Sequence, residues 1–508
     1  MLVDCGPMLP PVDPAAPVAA DPALDLLDTP QAGSVAIRGG MMRIAGFAAG
    51  TIVSVGSTAL LLRHLGLDQT GSYVAVLALS AVVAGLTDVG LAVLGVRELT
   101  VRRGAERAAA MRTLLGLRIV LTVIGVFGAV AFAVIVGYSP TLIAGTAIAG
   151  VGVLLQGVQI QLGTSLQNRM RLSAMTAVDF GRQAFSAALI AIGVLVGVGL
   201  LSFVAVTVVA GLVTLVATAL LVRRDVPLRP SFDVKASRSL TRQTGAYSAA
   251  AAAHVLYLRA AIVVVSVIGT TAELGAFAAA YRVVDVVIVL PLLLVGGAFP
   301  ILARAARDDA TRLGYAVSKL FDAALVLGVL LALMLGLGAE LAITVVAGPD
   351  FESSVGVLQI QSAVVATSFI GAVSGYALLA LGLYREALRI NLTALTFGVV
   401  LVVVLTAPYG ATGAAVATVA GEVVLIGLMV WTLARHERAL APSWRPVPQV
   451  ALAAGLAILP TVLFSLPSAL AASATWGTGR QDGANARSWR ASVHTMRPIS
   501  TTLSLIHI

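Results

Sequence analysis

The sequence is poor in charge and in cysteine. Charged residues make up 11% of its 508 positions, against about 25% in soluble domains. Hydrophobic residues reach 59%, and the mean hydropathy is +0.99. That balance excludes an ordinary soluble protein and makes the chain an integral membrane protein. A single cysteine, Cys5, excludes a disulfide framework and a cysteine metal site. No Gly-rich loop ends in Gly-Lys-Ser or Gly-Lys-Thr, so a phosphate cradle of the Walker type is missing. Neither His-Glu-x-x-His nor Gly-x-Ser-x-Gly occurs, and the five histidines are scattered. No catalytic residue, metal ligand or cofactor is nominated, and the chain is not read as an enzyme.

What is present is a succession of apolar runs, each of about 20 residues and so long enough to cross some 30 Å of hydrocarbon. They fall near 41–62, 71–96, 113–137, 141–165, 174–197, 200–222, 245–268, 274–301, 317–338, 355–383, 387–406, 411–434 and 449–472. Span length, not alternation, is the signal, and it calls for helices. Fifty glycines suit close packing between such helices. Ahead of them, residues 1–37 carry Asp4, Asp13, Asp21, Asp25 and Asp28 with no basic residue, a composition of disorder rather than of a secretory signal.

The basic residues fall in alternate loops. Arg97, Arg102, Arg107, Arg171, Arg223 to Arg242, Arg312, Arg385, Arg389 and Arg435 share one side, and the opposite turns at 137–140, 197–199, 269–273 and 407–410 have none. The positive-inside rule makes the first side cytoplasmic, with the N-terminus inside. The net charge of +9 then reflects topology and lipid contact, with no nucleic acid as partner.

A weak internal repeat lays Leu67 to Val76 on Thr271 to Ala280, matching Gly71 to Gly275 and Tyr73 to Phe277. Six spans separate the two copies, so both halves have the same orientation, related by an axis along the membrane normal. The expected fold is an all-α polytopic membrane protein of two pseudo-symmetric six-helix bundles plus at least one extra C-terminal span. Its divisions are a tail (1–37), an N-terminal bundle (38–224), a cytoplasmic linker (225–244), a C-terminal bundle (245–440), a further span (441–473) and an atypical tail (474–508). From Thr475 on, a Trp/Arg/Ser/Thr composition unlike anything upstream breaks the charge pattern. It is read as a natural reading frame lost near residue 474, the other account being a genuine extracytoplasmic tail.

Ionisable residues inside apolar spans are costly, roughly 2.5–3.5 kcal/mol each on insertion scales, and tend to be paired, hydrated or functional. They concentrate between His254 and Arg307. Arg282 and Asp285, three apart on one helix face, can pair locally. Arg259 either snorkels or faces a cavity, and His254 is read first as a packed histidine. Asp88 is expected to make a structural bond near a helix end, Asp179 and Arg182 to form a surface pair, and Arg118 to snorkel. Glu422, alone in its span, is the best position for proton or cation coupling.

The run YLRAAIVVVSVIGTTAELGAFAAAYRVVDVVIVLPLLLVGGAFPILAR, residues 257–304, resembles the seventh and eighth helices of polysaccharide repeat-unit flippases, members of the multidrug/oligosaccharidyl-lipid/polysaccharide exporter superfamily. The run RHLGLDQTGSYVAVLALSAVVAGLTDVGLAVLGVRELTVRRG, residues 63–104, is similar to the start of the same family. The resemblance covers about residues 40–440. It implies alternating-access movement of oligosaccharide repeat units linked to undecaprenyl diphosphate across a bacterial cytoplasmic membrane, for surface polysaccharide assembly. It also implies that Arg259 faces a cationic cavity; Arg282 and His254 stand with it as substrate-binding candidates, and Asp285, Glu422 and Asp88 as paired or coupling candidates. Partners would be the polyprenyl-diphosphate-linked oligosaccharide, membrane lipids and polysaccharide assembly enzymes, with H+ or Na+ as the coupling ion. Many relatives carry an acid two residues after the arginine of the Tyr-Leu-Arg element, and here that position is Ala261, so no role for that acid transfers. A lipid II or multidrug exporter of the same superfamily is the alternative; a membrane glycan polymerase or ligase is the alternative from another class.

Overall fold

The computed structural model describes residues 32–436 apart from 89, 103, 169–170 and 309. Most of the N-terminal tail, the span expected at 441–473 and the tail at 474–508 lie outside the described residues.

All of the regular structure described is helical. In order come α1 (Ala32–Asp88), α2 (Leu91–Val101), α3 (Gly104–Ile135), α4 (Pro140–Asn168), α5 (Leu172–Val196), α6 (Leu200–Val222), α7 (Val234–Ile268), α8 (Thr271–Asp308), α9 (Ala310–Leu337), α10 (Ala339–Val346), a 3-10 turn (Pro349–Phe351), α11 (Ser353–Ala380) and α12 (Tyr384–His436). Ten of the helices are long and apolar enough to cross a membrane. Two of these, α1 and α12, are broken by a glycine in the left-handed region, Gly66 (φ 69°) and Gly410 (φ 54°).

Both breaks fold the chain back. Ser54 and Gly85 would stand about 46 Å apart along a straight helix, yet both line one cavity. Likewise Gly398 and Gly421, about 35 Å apart if α12 ran straight, both lie against the Tyr257 ring. Each broken helix therefore makes two passes, bringing the passes among the described residues to twelve, six on each side of the segment between α6 and α7. This is the expected pair of six-helix bundles.

Local chemistry sets the helix limits. Asp233 caps α7, accepting from the backbone N–H of Lys235 at 2.9 Å and Ala236 at 3.2 Å. The helix thus begins inside the stretch expected to be linker, and the true connection is shorter. That connection lies on α3, with Ser231 N–H donating to Arg112 O at 2.8 Å. A reciprocal capping box opens α8: Thr270 N–H donates to Glu273 Oε2 at 2.8 Å, and Glu273 N–H to Thr270 Oγ1 at 3.2 Å. Gly90 (φ 72°) stands between α1 and α2, so the span expected at 71–96 is two helices.

Packing differs between the bundles. In the C-terminal one, α7 packs on α12 and α11 on both α8 and α9. Their buried side chains form one continuous core from Ala261 to Leu433, which also takes in Leu62, Ala75 and Ala78 of α1. The N-terminal bundle has several smaller clusters instead. What interrupts them is a cavity.

Candidate substrate cavity

A cavity of about 750 Å³ opens between the bundles, walled by α1, α4, α5 and α6 on one side and by α7 and α8 on the other. Hydroxyls and amides line the N-terminal wall, among them Ser54, Thr58, Gln156, Gln159 and Gln183. Four charged residues line it: Arg182, Arg259, Arg282 and Asp285. Three cations thus face one acid.

Two arginines come from the hairpin singled out in the sequence. Arg282 of α8 crosses the gap between bundles, its Nη2 donating to Ser54 Oγ at 3.1 Å and Thr58 Oγ1 at 3.2 Å. The expected local pair with Asp285 is not what forms. Asp285 instead meets Arg259 of α7, with Nη1 and Oδ2 3.7 Å apart, and Arg259 also lies over the Tyr281 ring at 5.8 Å. Packing of α7 beside α8 offers Asp285 a partner across helices, which the i,i+3 spacing could not foresee. Because hydroxyls are neutral, the Arg282 charge is left uncompensated by its direct partners.

Arg182 was missed. Read as half of a surface pair with Asp179, it lines the cavity. A signal was available: Arg182, Gln183 and Ser186 form a polar stripe on successive turns of α5, facing the same way as Gln156 and Gln159 on α4.

The remaining candidates lie away from the cavity. His254 Nδ1 is 3.2 Å from Asn391 Oδ1, and its ring stacks on Tyr257 within the C-terminal bundle. Glu422 is buried there too, next to Gly421, which lies against the Tyr257 hydroxyl. Tyr257 stands two residues before Arg259 on α7, so the tyrosine beside the α12 carboxylate and the cavity cation share one helix. Asp88 pairs with Arg118 at 2.5 Å, and Arg118 also donates to Thr87 O at 3.2 Å. Arg118 is only 2% exposed, so it is buried and paired where snorkelling was expected. Ala261 is buried in the core.

At one end of the cavity the bundles meet backbone to backbone. A Cβ on Gly71 would collide with Thr271 O, and one on Gly275 would collide with Leu67 O. These contacts are reciprocal: Leu67 and Gly71 are the repeat equivalents of Thr271 and Gly275. Equivalent residues touching each other's partners is the mark of a local two-fold axis. Side chains reinforce this end. Thr271 Oγ1 donates to Asp68 Oδ1 at 2.8 Å, Tyr138 and Ser266 share a 2.5 Å hydrogen bond, and Arg63 donates to Thr344 O and Val345 O at 3.1 and 2.6 Å.

The fold has known counterparts. One is a lipid II flippase, MurJ, in an inward closed conformation, with TM-score 0.70 and 10% identity over 84% of this chain and 93% of that one. A MATE multidrug resistance transporter of the MOP superfamily, facing inward, matches at 0.62 with 14% identity over 78% and 98%. A mutant of the Vibrio cholerae MATE transporter VcmN matches at 0.55 with 17% identity over 81% and 100%. At such identities the likeness concerns the fold. No curated protein sequence matches the chain significantly. A family model described as polysaccharide biosynthesis protein matches residues 60–356. That match spans more than half of the sequence, and the chain belongs to this family of polysaccharide biosynthesis proteins.

Proposed function

We propose that this protein is a flippase for lipid-linked oligosaccharide repeat units, carrying a polyprenyl diphosphate headgroup and its sugars from the cytoplasmic to the outer leaflet. The observation that supports this most is the cavity between the bundles, where Arg182, Arg259 and Arg282 face a single Asp285. A diphosphate cannot enter hydrocarbon without losing its hydration. A polar, cationic enclosure lowers that cost while the lipid tail stays in the bilayer. Arginine suits the task because its planar guanidinium stays charged and matches phosphate oxygens. The hydroxyls and amides of the N-terminal wall offer the hydrogen bonds that sugars need. The same excess of positive charge disfavours an organic-cation exporter.

In this reading the basic loops face the cytoplasm of a bacterial inner membrane and the Gly71–Gly275 contact closes the outer end. The substrate phosphates displace Asp285 from Arg259 and the hydroxyls from Arg282. Rocking one bundle against the other then exposes the cavity outward. Glu422 serves as the coupling site for H+ or Na+, acting on Arg259 through Tyr257 and the shared helix α7.

The test is transport of a fluorescent polyprenyl-diphosphate oligosaccharide in proteoliposomes by the wild type, Arg259→Ala and Arg282→Ala. Each variant is expected to insert normally and to lose at least tenfold in rate, about 1.4 kcal/mol. Wild-type rates from both variants at normal expression would remove the cavity arginines from the mechanism.

A further inference from the structure

A second concavity, of about 420 Å³, lies at the opposite end of the molecule from the Gly71–Gly275 contact, between the first turns of α12 and its last. Its lining combines three features that rarely coincide without a ligand. Cationic groups converge from two passes: Arg389 from the first and Arg435 from the second, with His436 beside them, against the single acid Glu386. Apolar side chains share the lining: Leu383 just before the first pass, Ile390 next to Arg389, and Leu428 on the second pass. An aromatic ring, Trp431, holds the Arg435 guanidinium 4.7 Å from its centroid and is itself 55% exposed.

The arrangement sorts the ligand chemistry. Trp is the side chain of the membrane–water boundary, with its ring among headgroups. The arginine side chains supply the attraction for an anion. The two threonines of the lining, Thr393 and Thr432, donate to carbonyls of their own helices, Arg389 O at 2.9 Å and Leu428 O at 2.8 Å, so they do not compete for an anion as donors. Arginines set among apolar side chains fit a phosphate carried on an acyl chain. The pocket does not fit a neutral sugar, which would need hydroxyl and amide partners, and it is separate from the central cavity in every lining residue.

We infer that this pocket binds the phosphate of an anionic headgroup at the membrane surface, with Arg389 and Arg435 as its ligands and Trp431 as its boundary marker. The inference does not depend on what the central cavity carries.

The experiment uses the full-length chain with Trp444, Trp476 and Trp489 replaced by Phe, so that Trp431 is the sole fluorophore, reconstituted in liposomes. Brominated phosphatidylglycerol and brominated phosphatidylcholine are compared as quenchers. The expected result is half-quenching at about a 25-fold lower mole fraction of the anionic lipid, since each of the two arginines contributes about a fivefold preference. Arg389→Gln with Arg435→Gln abolishes the preference. Arg385→Gln, an exposed arginine at the same end but outside the pocket, leaves it intact. To separate lost binding from lost folding, the wild type is also titrated with salt, which is expected to erase the preference. Inorganic phosphate at millimolar concentration distinguishes the source of the anion: no displacement assigns the site to a lipid headgroup, and displacement assigns it to a soluble phosphate. Equal quenching by the two lipids, or an equal loss of preference in Arg385→Gln, overturns the proposal.

Discussion

Single charges inside the membrane explain much of the site, and the sequence exposed them unevenly. Arg259, Arg282 and Asp285 stood out because a bilayer penalises charge, so their depth alone marked them. Which of them pair was not legible, because the answer depends on the neighbouring helix. Asp285 chose Arg259 over the nearer Arg282 in sequence, and Arg282 took hydroxyls from the other bundle. Asp285→Asn is therefore expected to free Arg259 and tighten binding of a soluble diphosphate analogue, while Arg282→Ala weakens it; isothermal titration on both variants checks the opposite signs. Arg118 makes a separate case, since it is buried and its carboxylate partner is Asp88. Removing that partner with Asp88→Asn leaves a buried charge and is expected to cost about 3 kcal/mol. The double change Asp88→Asn with Arg118→Met should recover part of that loss in thermal unfolding.

Helices were legible wherever apolar length alone defines them, and less so where a single residue ends them. Gly90 divided an expected span in two, and Asp233 started α7 within an expected linker. Both events are decided by one residue's backbone or side chain, which a hydropathy window averages away. The polar stripes of α4 and α5 were legible in principle: Gln156 and Gln159, then Arg182, Gln183 and Ser186, recur at helical spacing. Their uncharged members hid them. The glycine contact between α1 and α8 is the element-scale feature that most constrains motion. Gly71→Val would force the two backbones apart, at an expected cost of about 1–3 kcal/mol to the closed form. Spin labels at Asp68 and Thr271 are expected to report a longer, broader distance in that variant than in the wild type.

Across the whole molecule, alternation of bare and basic loops fixes which ends of the helices lie together, and the turns at Gly66, Gly137, Gly197, Gly269 and Gly410 all fall at one end. With Cys5 replaced by Ser, the chain has no other thiol. A cysteine at Thr270 is then expected to react with an impermeant maleimide from outside intact cells, and one at Arg224 only after permeabilisation. In the proposed transport cycle the reciprocal contact of Leu67 and Gly71 with Thr271 and Gly275 has a kinetic meaning as well. At Gly71 and Gly275 it joins the halves through peptide groups, so parting those two contacts uncovers little greasy surface, on the order of 1 kcal/mol of hydrophobic free energy. A latch of leucines would have had to be wetted at every cycle. Here the exposed groups are carbonyls that water accepts at once, and the doorway can swing often without becoming sticky when it stands open.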